Sequence, residues 1–316
     1  MNAKILIGNA ESALQTLPKH SVQMAVTSPP YWGLRQYCND PKMIGMEQTP
    51  EEYLANLTKV FWELWRVLKP NGTLWVNIGD TYATGGGSVG RKLKHDGGDQ
   101  GDRFLRAGMI ETQPNRKKLS GYRTKELIGI PWQFALAMRR DGWIIRDEII
   151  WSKPNPLPSS QRDRVTRSHE FLFMFVKQPK YEYSLLKEPA AYAGKPRGGS
   201  SKRYNSGNRG SDRKVYDTRT KRSVWTIRPA SHPTHKAVFP RDLIAPCISA
   251  GSCPGDTVLD PFLGSGTTVE QSLMMNRHVI GIEINPQDAQ NVRDRFQSAN
   301  AHNGPHDYEE VICESI

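Results

Sequence analysis

The chain has 316 residues, is 37% hydrophobic and carries eight tryptophans, which argues for a folded protein with a sizeable core rather than an unfolded one. Lysine and arginine total 43 against 32 acidic residues; the net charge of +11 and pI near 9.5 favour a polyanionic partner, nucleic acid ahead of a membrane surface. Cys38, Cys247, Cys253 and Cys313 form no C-x-x-C pair and the histidines are scattered, so neither a disulfide framework nor a metal site is suggested.

The first twenty residues lack a basic start followed by an apolar core, and the longest apolar run is only Phe171 to Val176. No signal peptide or membrane span is expected, and the protein should be intracellular. Lys4 to Gly8 is predicted as a strand, Ala10 to Leu17 as a short helix, and Val22 to Thr27 as a second strand. The second strand runs into Thr27-Ser28-Pro29-Pro30-Tyr31-Trp32. Two prolines cannot continue a strand ladder, because each lacks an N–H. A hydroxyl before them and aromatic rings after them make a rigid polar edge suited to a flat polar ring such as a nucleobase. A Pro-Pro turn with a core aromatic is the plainer alternative.

Thr49-Pro50-Glu51-Glu52 has capping-box spacing with proline at the first helical position, and Leu54, Leu57, Phe61, Leu64 and Leu68 follow at helical spacing. Lys69 to Gly72 should end that helix before a strand over Thr73 to Ile78, which gives strand–helix–strand order and a sheet with crossover helices. Gly79-Asp80 then puts a carboxylate where such sheets bind ligands. Residues 84–123 hold nine basic residues against four acidic and few apolar ones. They read either as a mobile basic loop that orders on a polyanion or as a solvated insertion.

A helix is predicted over Thr124 to Arg140, a strand over Trp143 to Trp151, and a strand covered on both faces over Glu170 to Val176. Residues 195–222 carry ten basic residues against two acidic ones, with Tyr204 and Tyr216 interleaved. Phosphate contact is the functional reading of this stretch and a disordered basic linker the bland one. His232 and His235 read as loop residues. A helix over Phe239 to Ala250, a strand over Thr257 to Asp260, a helix over Thr267 to Met275, a strand over His278 to Ile282 ending at Glu283, and a helix over Pro286 to Ser298 complete the pattern. The tail after Asn300 looks irregular.

Asp260-Pro261-Phe262-Leu263-Gly264-Ser265-Gly266-Thr267-Thr268 is a strand ending in an acid, a glycine turn and a helix start. Such a turn lets a ligand approach the backbone, and the helix N-terminus offers free N–H groups. Glu283, at the next strand end, is placed for ribose hydroxyls. Together these describe a nucleoside cofactor site. A Walker A loop would need Gly-Lys-Ser/Thr, and a nicotinamide fingerprint a third glycine where Val269 stands. S-adenosylmethionine needs this kind of loop and acidic strand end.

The two motifs, in this order, resemble the bacterial DNA amino-methyltransferases of the beta class, which methylate N4 of cytosine or N6 of adenine. Lys69-Pro70-Asn71-Gly72-Thr73-Leu74-Trp75, Ile150 to Pro156 and Phe239-Pro240 fit their intermediate motifs, and the similarity covers most of the chain. The resemblance implies an α/β, Rossmann-like, S-adenosylmethionine-dependent fold with permuted motif order, spanning 1–316 as one catalytic domain. The loop 84–123 would lie within it, as would an inserted target-recognition region at 185–230. The cofactor residues implied are Asn9, Phe239, Pro240, Asp260, Phe262, Gly264, Ser265, Gly266, Thr267, Thr268 and Glu283. The family commonly has Gly-Asp where this chain has Gly8-Asn9, so the adenine contact is expected either to be weaker or to use the Asn9 amide. Ser28, Pro29, Pro30, Tyr31 and Asp80 are the implied catalytic residues. Arg203, Arg209, Arg213, Lys214, Arg219 and Arg222 are the implied DNA contacts.

Serine before Pro-Pro-Tyr resembles the N4-cytosine group, with N6-adenine as the alternative. A DNA-binding protein without catalysis and an RNA methyltransferase are further readings. The partners implied are double-stranded DNA, entered by base flipping, and a cognate restriction endonuclease acting separately. The setting implied is the cytoplasm of a bacterial, archaeal or phage-infected cell. Pro246-Cys247, the dipeptide of a C5-cytosine nucleophile, lies in a predicted helix ahead of the cofactor loop and reads as core.

Overall fold

The structure, a computed structural model, describes residues 1–34, 40–84, 114, 118–156, 158–190, 217–230 and 239–313. The strands are β1 (Asn2–Ile7), β2 (Val22–Thr27), β3 (Leu68–Ile78), β4 (Ile144–Ser152), β5 (His169–Val176), β6 (Lys187–Pro189), β7 (Thr218–Thr220), β8 (Val224–Thr226), β9 (Thr257–Asp260), β10 (His278–Glu283) and β11 (Asp307–Ile312). The helices are α1 (Ala10–Gln15), α2 (Pro50–Val67), α3 (Ile130–Arg140), α4 (Arg241–Gly251), α5 (Thr267–Met274) and α6 (Ala289–Asn303).

Nine strands form one sheet in the order β11-β1-β10-β9-β2-β3-β5-β4-β8, parallel except for the pairings of β5 with β3 and β4. The C-terminal strands β9 and β10 are inserted between β1 and β2, so the chain's two ends build one sheet. This is the α/β arrangement with permuted order that the motif sequence implied. Ile7 pairs with Glu283, as expected, but Asp260 lies one strand further away, on β9 between β10 and β2.

Alternation along the strands covers both faces. On β5, Phe171, Phe173 and Phe175 belong to the core cluster that includes Phe61 of α2 and Phe134 of α3, with Phe134 against Phe175, while Leu172, Met174 and Val176 belong to the opposite cluster with Leu243 and Ile248 of α4. Ile5 and Ile7 of β1 pack with Val269 of α5 and Phe296 of α6. Each such apolar side chain contributes about 1.5–3 kcal/mol on burial. The long helix α2 starts as its cap predicted: Thr49 Oγ1 accepts from Glu52 N at 3.2 Å, with Pro50 at the first helical position.

Three expectations differ from the structure. The segment Lys69 to Gly72 does not separate helix from strand. It lies inside β3 and forms a bulge, since Val22 pairs with Leu68 but Met24 with Thr73. The helix expected from Thr124 starts only at Ile130, because residues 125–128 are bonded to the chain beyond β3: Lys125 N to Ala83 O at 2.9 Å and Ile128 N to Thr81 O at 3.0 Å. The tail is not irregular: Asp307 to Ile312 adds a parallel edge strand to β1. Its polar, half-buried pattern lacks the apolar signal of a buried strand. Among the described residues no helix is long and apolar enough to cross a membrane.

Candidate active site

The C-terminal ends of β1, β10, β9, β2 and β3 lie side by side, and one hydrogen-bonded cluster ties the middle of that row together. Asp260 Oδ1 accepts from Thr27 Oγ1 at 2.6 Å and from Phe262 N at 3.1 Å, and Oδ2 accepts from Thr268 Oγ1 at 2.6 Å. The cluster therefore joins the end of β2, the end of β9 and the first turn of α5. Burial raises the Asp260 carboxyl to about 6, against the lowering pull of its three donors. Asp260 and Thr268 are fully buried and lie outside the cavity wall, so the direct cofactor contact expected of them is replaced by an internal brace.

The brace borders a cavity of about 510 Å³. At one end, Phe262, Ile282 and Ile284 give it apolar walls. Gly264, Ser265 and Thr267 bring the N-terminus of α5 to it. Gly266 itself is outside the wall; it adopts φ +82° at the N-cap, and a Cβ there would sit 3.1 Å from the Val292 backbone. Glu283 Oε2 accepts from Gly264 N at 2.7 Å and Oε1 from Asn285 N at 2.8 Å, which shapes the glycine turn while the residue still lines the cavity. The Thr267 hydroxyl is buried with no hydrogen-bond partner among the described residues. An orphaned hydroxyl, a helix N-terminus, a strand-end carboxylate and apolar walls fit a zwitterionic nucleoside cofactor. Asp288, which sequence reasoning missed, also lines this end and is held by Asn285 and Asn291.

Asn9 lines the same end, but its side chain is engaged elsewhere: Oδ1 caps α1 by accepting from Ser12 N, and Nδ2 donates to the Lys42 carbonyl. The adenine contact expected of its amide is not what the side chain does here. Phe239 reaches the cavity, whereas Pro240 is buried as the N-cap residue of α4.

The other end is built on Ser28, Pro29, Pro30 and Tyr31. Trp32 is core, with its indole N–H donating to Glu47 O. The Pro30 carbonyl accepts from Tyr53 Oη at 2.9 Å, which anchors the segment to α2. Beneath it lies Asn77 of β3, buried and not anticipated from sequence. Its Nδ2 donates to Phe171 O at 3.1 Å, and its Oδ1 faces Ser28 Oγ at 3.5 Å and Tyr31 Oη at 3.1 Å. The Tyr31 hydroxyl also reaches Glu170 Oε2 at 2.6 Å, and this closer, charged acceptor takes the larger share of its single proton. Glu170 is ion-paired with Lys153, whose ammonium lies 4.3 Å from the Trp151 ring centroid. Lys153, Glu170 and Arg167 all line the cavity.

Asp80, expected among the catalytic residues, does not line the cavity. Its Oδ1 accepts from Thr81 N, Gly129 N and Ile130 N at 2.9–3.0 Å, capping α3, and its Oδ2 faces Arg167 Nη1 at 3.6 Å. It is a structural acid that positions a cavity arginine. Cys247 is core as expected: it is fully buried, donates to Leu243 O, and burial pushes its thiol far up.

Of the expected DNA contacts, Arg203, Arg209, Arg213 and Lys214 lie outside the described residues, as does most of 84–123 and both His232 and His235. Arg219 is ion-paired with Glu188 across the two-stranded β6–β7 ladder, and Arg222 is exposed beside β8, at the edge of the main sheet.

With this geometry in place, comparison with known proteins is decisive for the family. A family model described as DNA methylase matches residues 22–293, and the chain belongs to that family of N6/N4 methyltransferases. The chain is 41% identical over 298 residues to Type II methyltransferase M.SmaI of Serratia marcescens, covering 93% of this chain and 91% of that one. It is also 41% identical over 286 residues to Type II methyltransferase M.Cfr9I of Citrobacter freundii, covering 90% and 84%. Among solved structures, PvuII DNA methyltransferase (cytosine-N4-specific) superposes with a TM-score of 0.62 at 17% identity, covering 98% of this chain and 95% of that one. A DNA modification methylase from Thermus thermophilus, complexed with S-adenosyl-L-methionine, gives 0.60 at 21% identity, covering 99% and 100%. These two share the fold. The chain is a Type II DNA methyltransferase of the N4/N6 family.

Two outcomes follow from the site's geometry. The native pKa of Asp260, about 6, lies above its unfolded value near 3.8, so its contribution to stability is full below about pH 4 and lost as pH rises through 6. The stability difference between wild type and Asp260→Asn, measured by urea unfolding from pH 4 to 7, should therefore shift by up to about 3 kcal/mol against the wild type. A flat difference would show that Asp260 titrates normally. Second, a Cβ on Gly79 would lie 2.5 Å from Tyr31 Cε2. Gly79→Ala should displace Tyr31 and lower methyl transfer by about 10-fold or more while cofactor affinity changes little. Unchanged turnover would show that the ring's position is unimportant.

Proposed function

We propose that the protein transfers a methyl group from S-adenosylmethionine to the exocyclic N4 amine of cytosine in duplex DNA, with the target base flipped into the end of the cavity beside Ser28. The observation that carries this reading is the placement of Ser28 at the strand end, in the same cavity wall as the cofactor turn, with Oγ 3.5 Å from the Asn77 amide oxygen.

The amine of cytosine is conjugated with its ring and is a poor nucleophile. Ser28 Oγ and the Pro29 carbonyl accept hydrogen bonds from its two N–H groups, which localises the nitrogen lone pair toward the cofactor end. The Pro30 carbonyl is already occupied by Tyr53, so Pro29 supplies the second acceptor. Tyr31, held by Glu170, presents its ring to the flipped base, a contact worth ~1–3 kcal/mol. When bound, S-adenosylmethionine supplies an electrophilic methyl carbon on a sulfonium. The chain's residues contribute orientation and proximity; in a direct displacement the nitrogen–carbon bond would form as the methyl–sulfur bond breaks, a neutral thioether would leave, and the amine's surplus proton would pass to solvent.

Cytosine is favoured over adenine by one feature. Serine, not aspartate, precedes Pro-Pro-Tyr. Lys153 and Arg167 in the same wall are donors for the ring acceptors of either base. The basic residues of 185–230 would hold the DNA backbone. As in a restriction-modification pair, a separate cytoplasmic endonuclease would share the target sequence.

Incubation with labelled S-adenosylmethionine and mixed-sequence DNA, followed by digestion and nucleoside separation, should place the label in N4-methylcytosine. Label in N6-methyladenine selects the other branch of the family, and no label in any base rejects both. Ser28→Ala should retain cofactor binding by calorimetry and lose on the order of 100-fold in turnover. A variant with wild-type turnover would remove Ser28 from the mechanism.

A further inference from the structure

We propose that the loop joining β4 to β5 is a second DNA-engaging element: Val165 enters the base stack where the target base leaves it, and Arg162 and Arg164 hold the neighbouring phosphates. The proposal rests on the base-flipping reaction proposed above.

The loop covers residues 153–168, and both of its ends are cavity wall: Lys153, Asn155 and Pro156 at the start, Arg167 at the finish. A base entering beside Ser28 therefore brings its strand against the outer part of this loop. Pro154, Pro156 and Pro158 stiffen the outgoing limb. The tip is tied down from below. The Arg164 guanidinium stacks 4.2 Å from the Tyr82 ring centroid, and its Nη1 donates to the Val165 carbonyl at 3.1 Å. Asp163, the only acid of the loop, is paired at 2.6 Å with Lys125, which itself holds an unusual positive φ of 72°.

The result is an apolar, β-branched side chain held 87% exposed on a braced backbone. An isolated exposed valine is ordinary on a protein surface. This one lies two residues before Arg167 of the cavity wall and next to Arg164 and Arg162 in the chain, with the loop's one acid already paired to Lys125. That combination matches a polyanionic duplex. Extruding a base leaves a gap between its stacked neighbours, and apolar wedges inserted from the protein fill such gaps. Sequence reading placed the DNA contacts in the glycine- and arginine-rich stretch alone and passed over this loop, because three arginines and a valine carry no compositional signal.

The test uses the full chain, tritium-labelled S-adenosylmethionine and two oligonucleotide duplexes carrying a site mapped from DNA methylated by the wild type. One duplex is fully paired; in the other the target faces an abasic position, which lowers the cost of extrusion. Val165→Ser should lower kcat about 10-fold on the paired duplex and stay within about twofold of wild type on the abasic one. Arg162→Ala should weaken DNA binding and reduce the slope of log affinity against log salt by about 1. Val165→Ser matching wild type on both duplexes, or losing the same factor on both, overturns the wedge. An unaltered salt slope for Arg162→Ala overturns the phosphate clamp. If the wild type labels no DNA at all, the methylation reading itself has failed and the wedge with it.

Discussion

Everything at this site depends on one buried carboxylate. Asp260 accepts three hydrogen bonds, one from each of the elements that must converge: β2 through Thr27, the cofactor turn through Phe262, and α5 through Thr268. Burying an acid so completely is unfavourable, which is why its pKa rises. What offsets the cost is geometric. A carboxylate is an acceptor at both oxygens, whereas an amide in the same place would turn one of them into a donor facing a hydroxyl. Ser28 is the residue after Thr27, and Gly264 follows Phe262 by two positions. Holding Thr27 and Phe262 on one carboxylate therefore sets the separation between the two halves of the cavity.

The same economy appears at the target end. Asn77 sits between Ser28, Tyr31 and the β5 backbone, so the sheet itself orients both motif side chains. Glu170 does this from β5, the antiparallel neighbour of β3. Antiparallel pairing matters here, because it brings the start of β5 to the same edge as the C-terminal ends of the parallel strands. A parallel β5 would put Glu170 at the opposite edge, away from Tyr31.

Legibility from sequence divides along the same line. Ser28 and the residues from Asp260 to Thr268 stand out because each motif is contiguous, with its chemistry carried by neighbours in the chain. Their convergence also follows once β9 and β10 are placed beside the N-terminal strands. Asn77, Glu170 and Arg167 do not stand out, since each acts on a partner 46 or more residues away and nothing local marks it. Asp80 shows the opposite error. An acid at a strand end is a reasonable ligand, and only the N–H groups of Gly129 and Ile130 turn it into a helix cap. The edge strand β11 and the bulge at Lys69 to Gly72 escaped for a related reason: edge positions and bulges are defined by their partner strand.

The charges around the target end point to the kind of group it receives. Lys153 is matched by Glu170 and Arg167 by Asp80, so the wall presents N–H donors with their net charge locally balanced. A site for an anion would leave such cations unmatched, since an ion's attraction in a low-dielectric cavity comes from net charge. Balanced pairs still direct hydrogen bonds, and they favour a neutral ring with carbonyl and ring-nitrogen acceptors over a phosphate. In the sequence the excess positive charge is concentrated in residues 195–222, ten basic against two acidic.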